Sequence, residues 1–546
     1  MAIAAYDSDL TTANGGLVSD ASNAATWDES SNGGYDDGGS PVDETNFFIQ
    51  GSSCVSAQFT KTGVGSILNI EGSLFDFTAS DTHLLIWAFW SAPSSLETYA
   101  NGGMRLLMGD SIGDFWYFNA SGSDFEPNPY GGWYNFALCN DVAVRDGVVG
   151  SPTISYRVAG MSVNATAQSR GNPFAVDVIR IGRCTLEVTE GQAGDYGTFK
   201  GMSNFNDSSG ERYALFQAGL GGYRYQGLMS LGLTGTAVDF RSSNVNIIVA
   251  NTPKSSVDFN KIEVHNAGSN IEWTSVNISS PGVNEPIAAT RSPGAFEVVD
   301  NATVVKTTCV FTDLTTFIYQ GNSTLNQCTF RRCGLITVGG ATFNGGLITN
   351  SIGAVSAITD NLSVFNKTEF ESDGSNHAVE LTSIGGGSMT WSGSTLGYDV
   401  GTTGSPIIPT STGNEDIYLN FTSASDITIN VAAGATTPSV RIGAGVTGNV
   451  NVVAGALVLK MIVKDQSGVE VVGAYAYIDN DNITPFILNS TTDANGEASI
   501  SYSDGAVAGT TWRVRKYGYK PFLGTVDIAG SDITLPITLI TDPQQT

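Results

Sequence analysis

Charge is scarce in this chain. Only 14% of its 546 residues are Asp, Glu, Lys or Arg, well under the usual quarter of a soluble protein. The imbalance is strong: 25 basic against 52 acidic residues give a formal net charge of −27. Such a surface repels phosphate, and no Lys/Arg run offers a local exception, so neither nucleic acid nor anionic lipid is an expected partner. No stretch of about 18 apolar residues appears, and membrane insertion is not expected. The opening Met1–Asp7 has no basic segment and no long apolar run, which predicts no signal peptide. Histidine is limited to His83, His265 and His377, none in a metal-ligand motif. The six cysteines, Cys54, Cys139, Cys184, Cys309, Cys328 and Cys333, include no C-x-x-C pair. They predict free, buried thiols rather than a disulfide framework or a zinc site.

The catalytic motifs are missing as well. There is no H-E-x-x-H, no Walker loop, no EF-hand loop, and no G-x-S-x-G between a strand and a helix. Asp479-Asn480-Asp481-Asn482 supplies oxygens of the kind calcium takes, but it reads more simply as a hairpin tip. No catalytic, cofactor-binding or metal-binding residue is therefore assigned, and no cofactor is expected. Helical periodicity is almost absent too; short apolar runs and strict alternation take its place.

What is present is glycine, 65 residues of it, and an apolar fraction of 41% spread along the whole length. That apolar content argues against disorder. Small polar residues and glycines suit short strands joined by tight turns. The length predicts two to four domains. The expected fold is all-β: a jelly-roll-like sandwich over 1–205, a right-handed parallel β-helix over 206–455, and an Ig-like sandwich over 456–546.

In the first region the candidate strands are Phe47–Gln50, His83–Trp90, Met104–Met108, Phe115–Asn119, Trp133–Leu138, Ile154–Val158 and Val176–Ile181. His83–Trp90 is apolar at nearly every position, as a central strand covered on both faces should be. The run from Gly102 to Asp110, then Trp116-Tyr117-Phe118 and Gly131-Gly132-Trp133-Tyr134, resembles the concanavalin and laminin-G sandwiches. That resemblance implies glycan stacking on Trp116, Tyr130 or Trp133; the simpler expectation is that they fill the core.

The middle region carries a repeat. Thr308-Cys309-Val310-Phe311-Thr312 returns as Gln327-Cys328-Thr329-Phe330-Arg331 after one interval. Gly346–Thr349 and Thr368–Phe370 extend the series, with Phe330, Ile348 and Phe370 following one another at similar spacing. Ile262-Glu263-Val264 and Val276-Asn277-Ile278 share the apolar-x-apolar signature upstream. Gly334–Thr337 recurs at Gly346–Thr349 after little more than half that interval, which breaks the pattern. A period of about 20 residues fits one β-helix rung of three short strands and three turns. Leucine-rich repeats share the period, but their leucine consensus is missing. Asn266, Asn301, Asn322, Asn344 and Asn361 are expected at left-handed turns or in side-chain ladders. Gly339-Gly340, Gly345-Gly346 and Gly385–Gly387 mark further turns.

The final region alternates strands with two D-x-x-G turns, Asp465–Gly468 and Asp493–Gly496. Its strands are Ala456–Val463, Tyr475–Ile478, Trp512–Lys516 and Ile533–Leu539. It resembles the carboxypeptidase-regulatory or transthyretin-like Ig domain, which implies a non-catalytic spacer or interaction module.

Between these lies the series Phe174–Arg183, Glu211–Gln217, Tyr223–Gly227, Phe259–Ile262, Val299–Ala302 and Thr329–Gly334. It resembles uncharacterised virion proteins of tailed bacteriophages. The resemblance implies a structural protein of the virion, assembled in the host cytoplasm: a homotrimeric tail fibre, tailspike or other appendage in host attachment. Its partners would be other tail, neck or capsid proteins and host-surface polysaccharide. A head-decoration or neck protein without host contact is an alternative. A polysaccharide depolymerase is another, since phage tailspikes cut glycans with paired carboxylates. Its candidate acids are Asp239, Asp258, Glu263, Glu272, Asp300, Asp313, Glu369 and Glu371.

Overall fold

Alternating apolar residues have to be covered on one face, and among the described residues strands pair into six sheets that do so. A computed structural model describes residues 17–29, 40–49, 51–58, 63–69, 82–90, 104–120, 132–139, 145–165, 172–183, 185–188, 199, 216–219, 222–249, 260–280, 294–374, 376–383, 388–399, 407–408, 413–432, 434–455, 457–480, 483–502, 507–528 and 532–543. The protein is all-β, with antiparallel sheets first, long parallel sheets in the centre and small sheets, mainly antiparallel, last. Two compact units divide it, Met1–Ala341 and Thr342–Thr546.

The first unit opens with two antiparallel sheets. One runs Val42–Glu44, Cys54–Gln58, Pro173–Arg183, Thr82–Trp90, Gly132–Cys139, with Leu17–Ser19 also on Pro173–Arg183. The other runs Gly147–Val149, Asp114–Ala120, Met104–Ser111, Val158–Ala165, Gly63–Asn69, Trp27–Glu29. Leu84, Ile86, Ala88 and Trp90 share one buried core with Met104, Leu106, Met108 and Met161. Trp87 points the other way and packs on Val178 and Trp133. The strand is thus covered on both faces.

Two expected strands differ. Phe47–Ile49 is not a strand, and Gln50 lies outside the described residues. Phe47 lies across the outer face, its ring 4.6 Å from Phe89, while the Ile49 N–H donates to Asp177 at 2.7 Å. The second contact uses a backbone donor that a ladder would need. Ile154 stands 65% exposed, and the strand begins at Val158. The preceding turn is held by Asp110, which accepts from the backbone and hydroxyl of Thr153 at 3.0 and 2.7 Å.

From Thr185 the central pairing is parallel, apart from the antiparallel pair Phe216–Gly219 and Gly222–Tyr225. Leu186, Met229, Ile262, Phe296, Phe317 and Ile336 stand one above another in register, and all are buried. On the facing sheet Ile247, Ile278, Phe311 and Phe330 form a second column. The Phe311 and Phe330 rings stack at 5.0 Å, which is the repeat seen in the sequence. The period is not uniform. Phe296, Phe317 and Ile336 follow at nearly equal intervals, whereas the steps from Met229 to Ile262 and from Ile262 to Phe296 are more than half as long again.

The turn residues also differ from expectation. Among the five named asparagines only Asn266 is left-handed, at φ 71°. The left-handed column is Asn244, Ser275, Thr308 and Gln327, with φ between 52° and 55°. Ser275 and Thr308 hydrogen-bond through their hydroxyls at 2.9 Å. Adjacent rungs share the strained corner, so each is over-determined by its neighbours. Asparagine ladders do form: Asn277 donates to Asn246 at 2.9 Å in the first unit, and Asn366 to Asn344 at 3.2 Å in the second.

A buried polar joint ties the first rungs to the sandwich. Arg224 donates to the Asn135 carbonyl at 2.8 Å, and Gln226 donates there at 3.0 Å while accepting from the Ala137 N–H at 3.2 Å. Gln226 thereby covers part of the edge strand Gly132–Cys139.

In the second unit, Ala357, Val379, Ile417 and Val440 form a fully buried parallel column. The likeness of Gly334–Thr337 to Gly346–Thr349 is not a rung repeat. Leu335–Gly339 pairs with Thr316–Gln320, whereas Leu347–Thr349 pairs in the other sheet with Phe365–Glu371. The terminal module packs a three-stranded sheet, Glu497–Tyr502, Leu457–Asp465, Ile533–Leu539, on a four-stranded one, Ile483–Thr491, Tyr475–Asn480, Val507–Arg515, Phe522–Ile528. Both D-x-x-G turns work alike. Asp465 accepts from Ser467 and Val469, Asp493 from Asn495 and Glu497, and Gly468 and Gly496 take positive φ.

One interior position breaks the apolar rule. Lys306 has no exposed surface. Its Nζ lies 3.0 Å from the centre of the Phe296 ring and within 4.9 Å of those of Trp273, Phe311 and Tyr319, and it donates to the Tyr319 hydroxyl at 3.1 Å. Burial pushes its pKa down to about 7, with Cys309 and Cys328 acting against the shift. The unfolded chain therefore binds the extra proton between about pH 7 and 10.5, so these rungs gain stability as pH rises through that window. At or below pH 7 the cost is present in full, of order a few kcal/mol after the ring faces return part of it. Lys306→Met is expected to raise amide-exchange protection of Thr303–Thr307 and Thr316–Gln320 at pH 7. It should also remove the rise expected between pH 7 and 9 in the wild type. An unchanged rise in the variant would assign it elsewhere.

Candidate functional site

Side chains that point outward from a parallel sheet meet their counterparts one rung away, about 4.8 Å off. In the first unit this register sets Glu263 directly against Glu297. Lys261, two positions before Glu263, reaches both: its Nζ is 2.7 Å from Glu297 Oε2 and 3.1 Å from Glu263 Oε1. The second Glu263 oxygen meets His265 Nε2 at 3.0 Å. Burial pulls the Lys261 pKa down, but the hydrogen bonds to Glu297 and Glu263 outweigh it and leave a net rise. Among the described pairings this is the one place where two solenoid carboxylates stand in register on adjacent rungs. Retaining glycosidases hold their carboxyls about 5 Å apart. Here an ammonium fills the space that a glycosidic oxygen would enter.

The other candidate acids are dispersed. Asp239 accepts both Arg241 nitrogens at 2.9 and 3.1 Å, with Glu272 at 3.6 Å from the same guanidinium. Asp300 accepts the Asn266 N–H at 2.8 Å. Asp313 and Arg332 are stacked corner residues joined by two bonds of 2.8 Å. In the second unit Glu371 accepts from Thr349 at 2.9 Å, and Glu369 stands against Leu347. Asp258 lies outside the described residues. Each described acid except Glu369 is engaged by a neighbouring donor or cation.

The second unit holds a cluster that no sequence motif announces. His377 is buried between Glu415 and Arg441. Arg441 donates to Nε2 at 3.0 Å, so Nδ1 carries the proton and donates to the Glu415 carbonyl at 3.0 Å. The Tyr418 ring stacks on the imidazole at 5.2 Å, and Arg441 lies 4.2 Å from the ring centre. Glu380, Tyr418 and Arg441 share one outward column. Sequence spacing hides the group, because Arg441 follows His377 by 64 residues.

The remaining candidates are mostly structural. Trp116 belongs to the sandwich core and lies under Arg145 at 3.9 Å. Trp133 packs on Phe89 at 5.4 Å. His83 is buried. Tyr130, Asp481, Asn482 and Gly385–Gly387 lie outside the described residues. Cys54, Cys309, Cys328 and Cys333 are buried thiols outside any disulfide. Lys306 escaped the sequence reading. Its signal was a cation in the apolar phase of Thr303-Val304-Val305-Lys306-Thr307. Among the described residues no group of His, Cys, Asp and Glu is arranged to hold a metal ion.

No protein-family model matches the chain, and no curated protein matches it. Solved structures give distant likenesses. The family 22 carbohydrate-binding module of Clostridium thermocellum Xyn10B is 12% identical over 30% of this chain and 87% of its own, with a TM-score of 0.18. The catalytic domain of a GH87 α-1,3-glucanase in complex with nigerose is 13% identical over 85% and 78%, at 0.16. The Agl-KA catalytic domain is 7% identical over 78% and 97%, also at 0.16. At these scores the likenesses bear on neither substrate nor activity.

Burial lowers the His377 pKa, with Glu415 opposing and Arg441 reinforcing the shift. Below its ordinary value of 6.5 the unfolded chain takes up the proton first, so stability is lost as pH falls through that value and below. His377→Gln, which keeps an acceptor for Arg441, is expected to flatten the fall in melting temperature between pH 7 and 5.5. The same slope in both proteins would remove His377 from the account.

Proposed function

We propose that the protein is a structural component of a tailed-phage particle, a trimeric fibre, spike or appendage that carries a host-glycan contact. The observation that supports a scaffold is the state of the solenoid's charged groups. Lys261, Arg241, Arg332 and Arg441 each lie against side chains of neighbouring rungs, so the chemistry on these faces joins rungs together. The phage assignment rests on the sequence series from Phe174 to Gly334. Trimerisation would cover solenoid edges and apolar faces. Other virion proteins would be its partners, and the virion its location.

The Glu263–Glu297 pair favours one second reading, polysaccharide cleavage on the solenoid face. For that, Lys261 must withdraw when glycan enters.

Particle composition, chain mass and glycan release separate the readings. Mass spectrometry and immunogold labelling of purified particles should find the chain there, and light scattering should give three times the chain mass. A monomer absent from particles would overturn the proposal. On host capsule the protein should release no reducing ends; release that Glu263→Gln and Glu297→Gln abolish would establish the second reading instead.

A further inference from the structure

The terminal module gathers cations and rings on one sheet face. Alternation along Tyr475–Asn480 buries Ala476 and Ile478 in the core and turns Tyr475 and Tyr477 outward. Tyr475 is paired with Arg515 and Tyr477 with Arg513 on the next strand. The Tyr477 hydroxyl accepts from Arg513 at 3.1 Å and from Arg515 at 3.3 Å. Its ring lies 6.4 Å from Tyr475 and 5.4 Å from Phe486. These neighbours leave Tyr477 only 9% exposed, while Tyr475 and Phe486 remain 48% and 44% exposed. Arg515 is exposed and forms no ion pair with a carboxylate among the described residues.

We propose that this face binds a carboxylate-bearing polysaccharide, such as a polyuronate. Three features select that occupant. Exposed flat rings offer stacking surface to sugars. The Arg515 guanidinium, held by a neutral hydroxyl, keeps donors for a carboxylate, whose two oxygens match its fork. The chain as a whole carries −27, and here two arginines stand in register with tyrosines instead of acids, which joins a positive charge to the stacking surface. Tyr477 acts as the hub, fixing Arg515 and both flanking rings. The site deepens the host-glycan part of the proposed function and rests on it for its biological role, but not for its chemistry.

Affinity electrophoresis of the full chain through gels containing alginate, with dextran as the neutral comparison, tests it. Alginate should retard the wild type and dextran should not. Arg515→Gln and Tyr475→Ala, both exposed positions, should each weaken retardation by about tenfold; Lys464→Gln, a charge removed from the other sheet, should leave it unchanged. Absence of retardation by alginate at low salt would overturn the site, as would loss in Lys464→Gln equal to that in Arg515→Gln. Retardation that ignores Tyr475→Ala would reduce the face to an unspecific cation patch and overturn the glycan assignment. A change of oligomeric state in Arg515→Gln would identify a second copy as the occupant and overturn it as well. Particle labelling decides the virion role separately: a chain found in particles with no alginate binding loses only this site.

Discussion

Parallel pairing in register places every side chain above its counterpart one rung earlier, about 4.8 Å away. In an antiparallel sandwich neighbours alternate in kind and distance; in a solenoid a column keeps one facing, inward or outward, from rung to rung. The column from Leu186 through Met229, Ile262, Phe296 and Phe317 to Ile336 obeys this. So do the corners. Once Thr308 adopts a left-handed conformation, Ser275 on one side and Gln327 on the other follow it. The cost of such residues, of order 1–3 kcal/mol each, is met because the pairing on both sides leaves the chain no other path.

The same constraint explains Lys306. It stands in register between Trp273 and Leu325, an interior position where a cation is costly. Its surroundings answer with four ring faces and one hydroxyl. A buried polar group that is fully partnered fixes which residues face one another. Slipping a strand by one residue would send the ammonium to solvent and Val305 or Thr307 inward, so the lysine specifies the register of its own rungs.

How much the sequence disclosed follows from this physics. The pair Phe311 and Phe330 is visible because rungs there are uniform and a column repeats its residue type. Earlier rungs are not, since Met229, Ile262 and Phe296 are spaced far more widely and no fixed period spans them. Intrinsic preference points to asparagine at left-handed corners, and Asn244 holds the first of the column, yet Ser275, Thr308 and Gln327 hold the next three, because neighbouring rungs override a preference that small. The D-x-x-G turns are legible because their mechanism is local: one aspartate accepts from backbone two and four positions on. The His377 cluster and the Tyr475–Arg515 face are not, since both are assembled by pairings between segments far apart in the chain.

Stacking also accounts for the shortage of charge. Two like charges on adjacent rungs repel by roughly 1 kcal/mol even in water, and more where the sheet excludes solvent. A column of acids is therefore disfavoured. Among the described pairings, Asp239 stands against Asn270, Glu272 opposes Arg241, Glu369 faces Leu347 and Glu380 faces Tyr418. Glu263 against Glu297 is the exception, and there Lys261 reaches both carboxylates. A solenoid can dilute its charges or alternate them, and this one does both. Lys261, Arg241, Arg332 and Arg441 are then engaged by neighbouring rungs, which favours ionic recognition on the antiparallel module. There, cross-strand neighbours need not repeat, and Arg513 and Arg515 stand in register with tyrosines instead of acids.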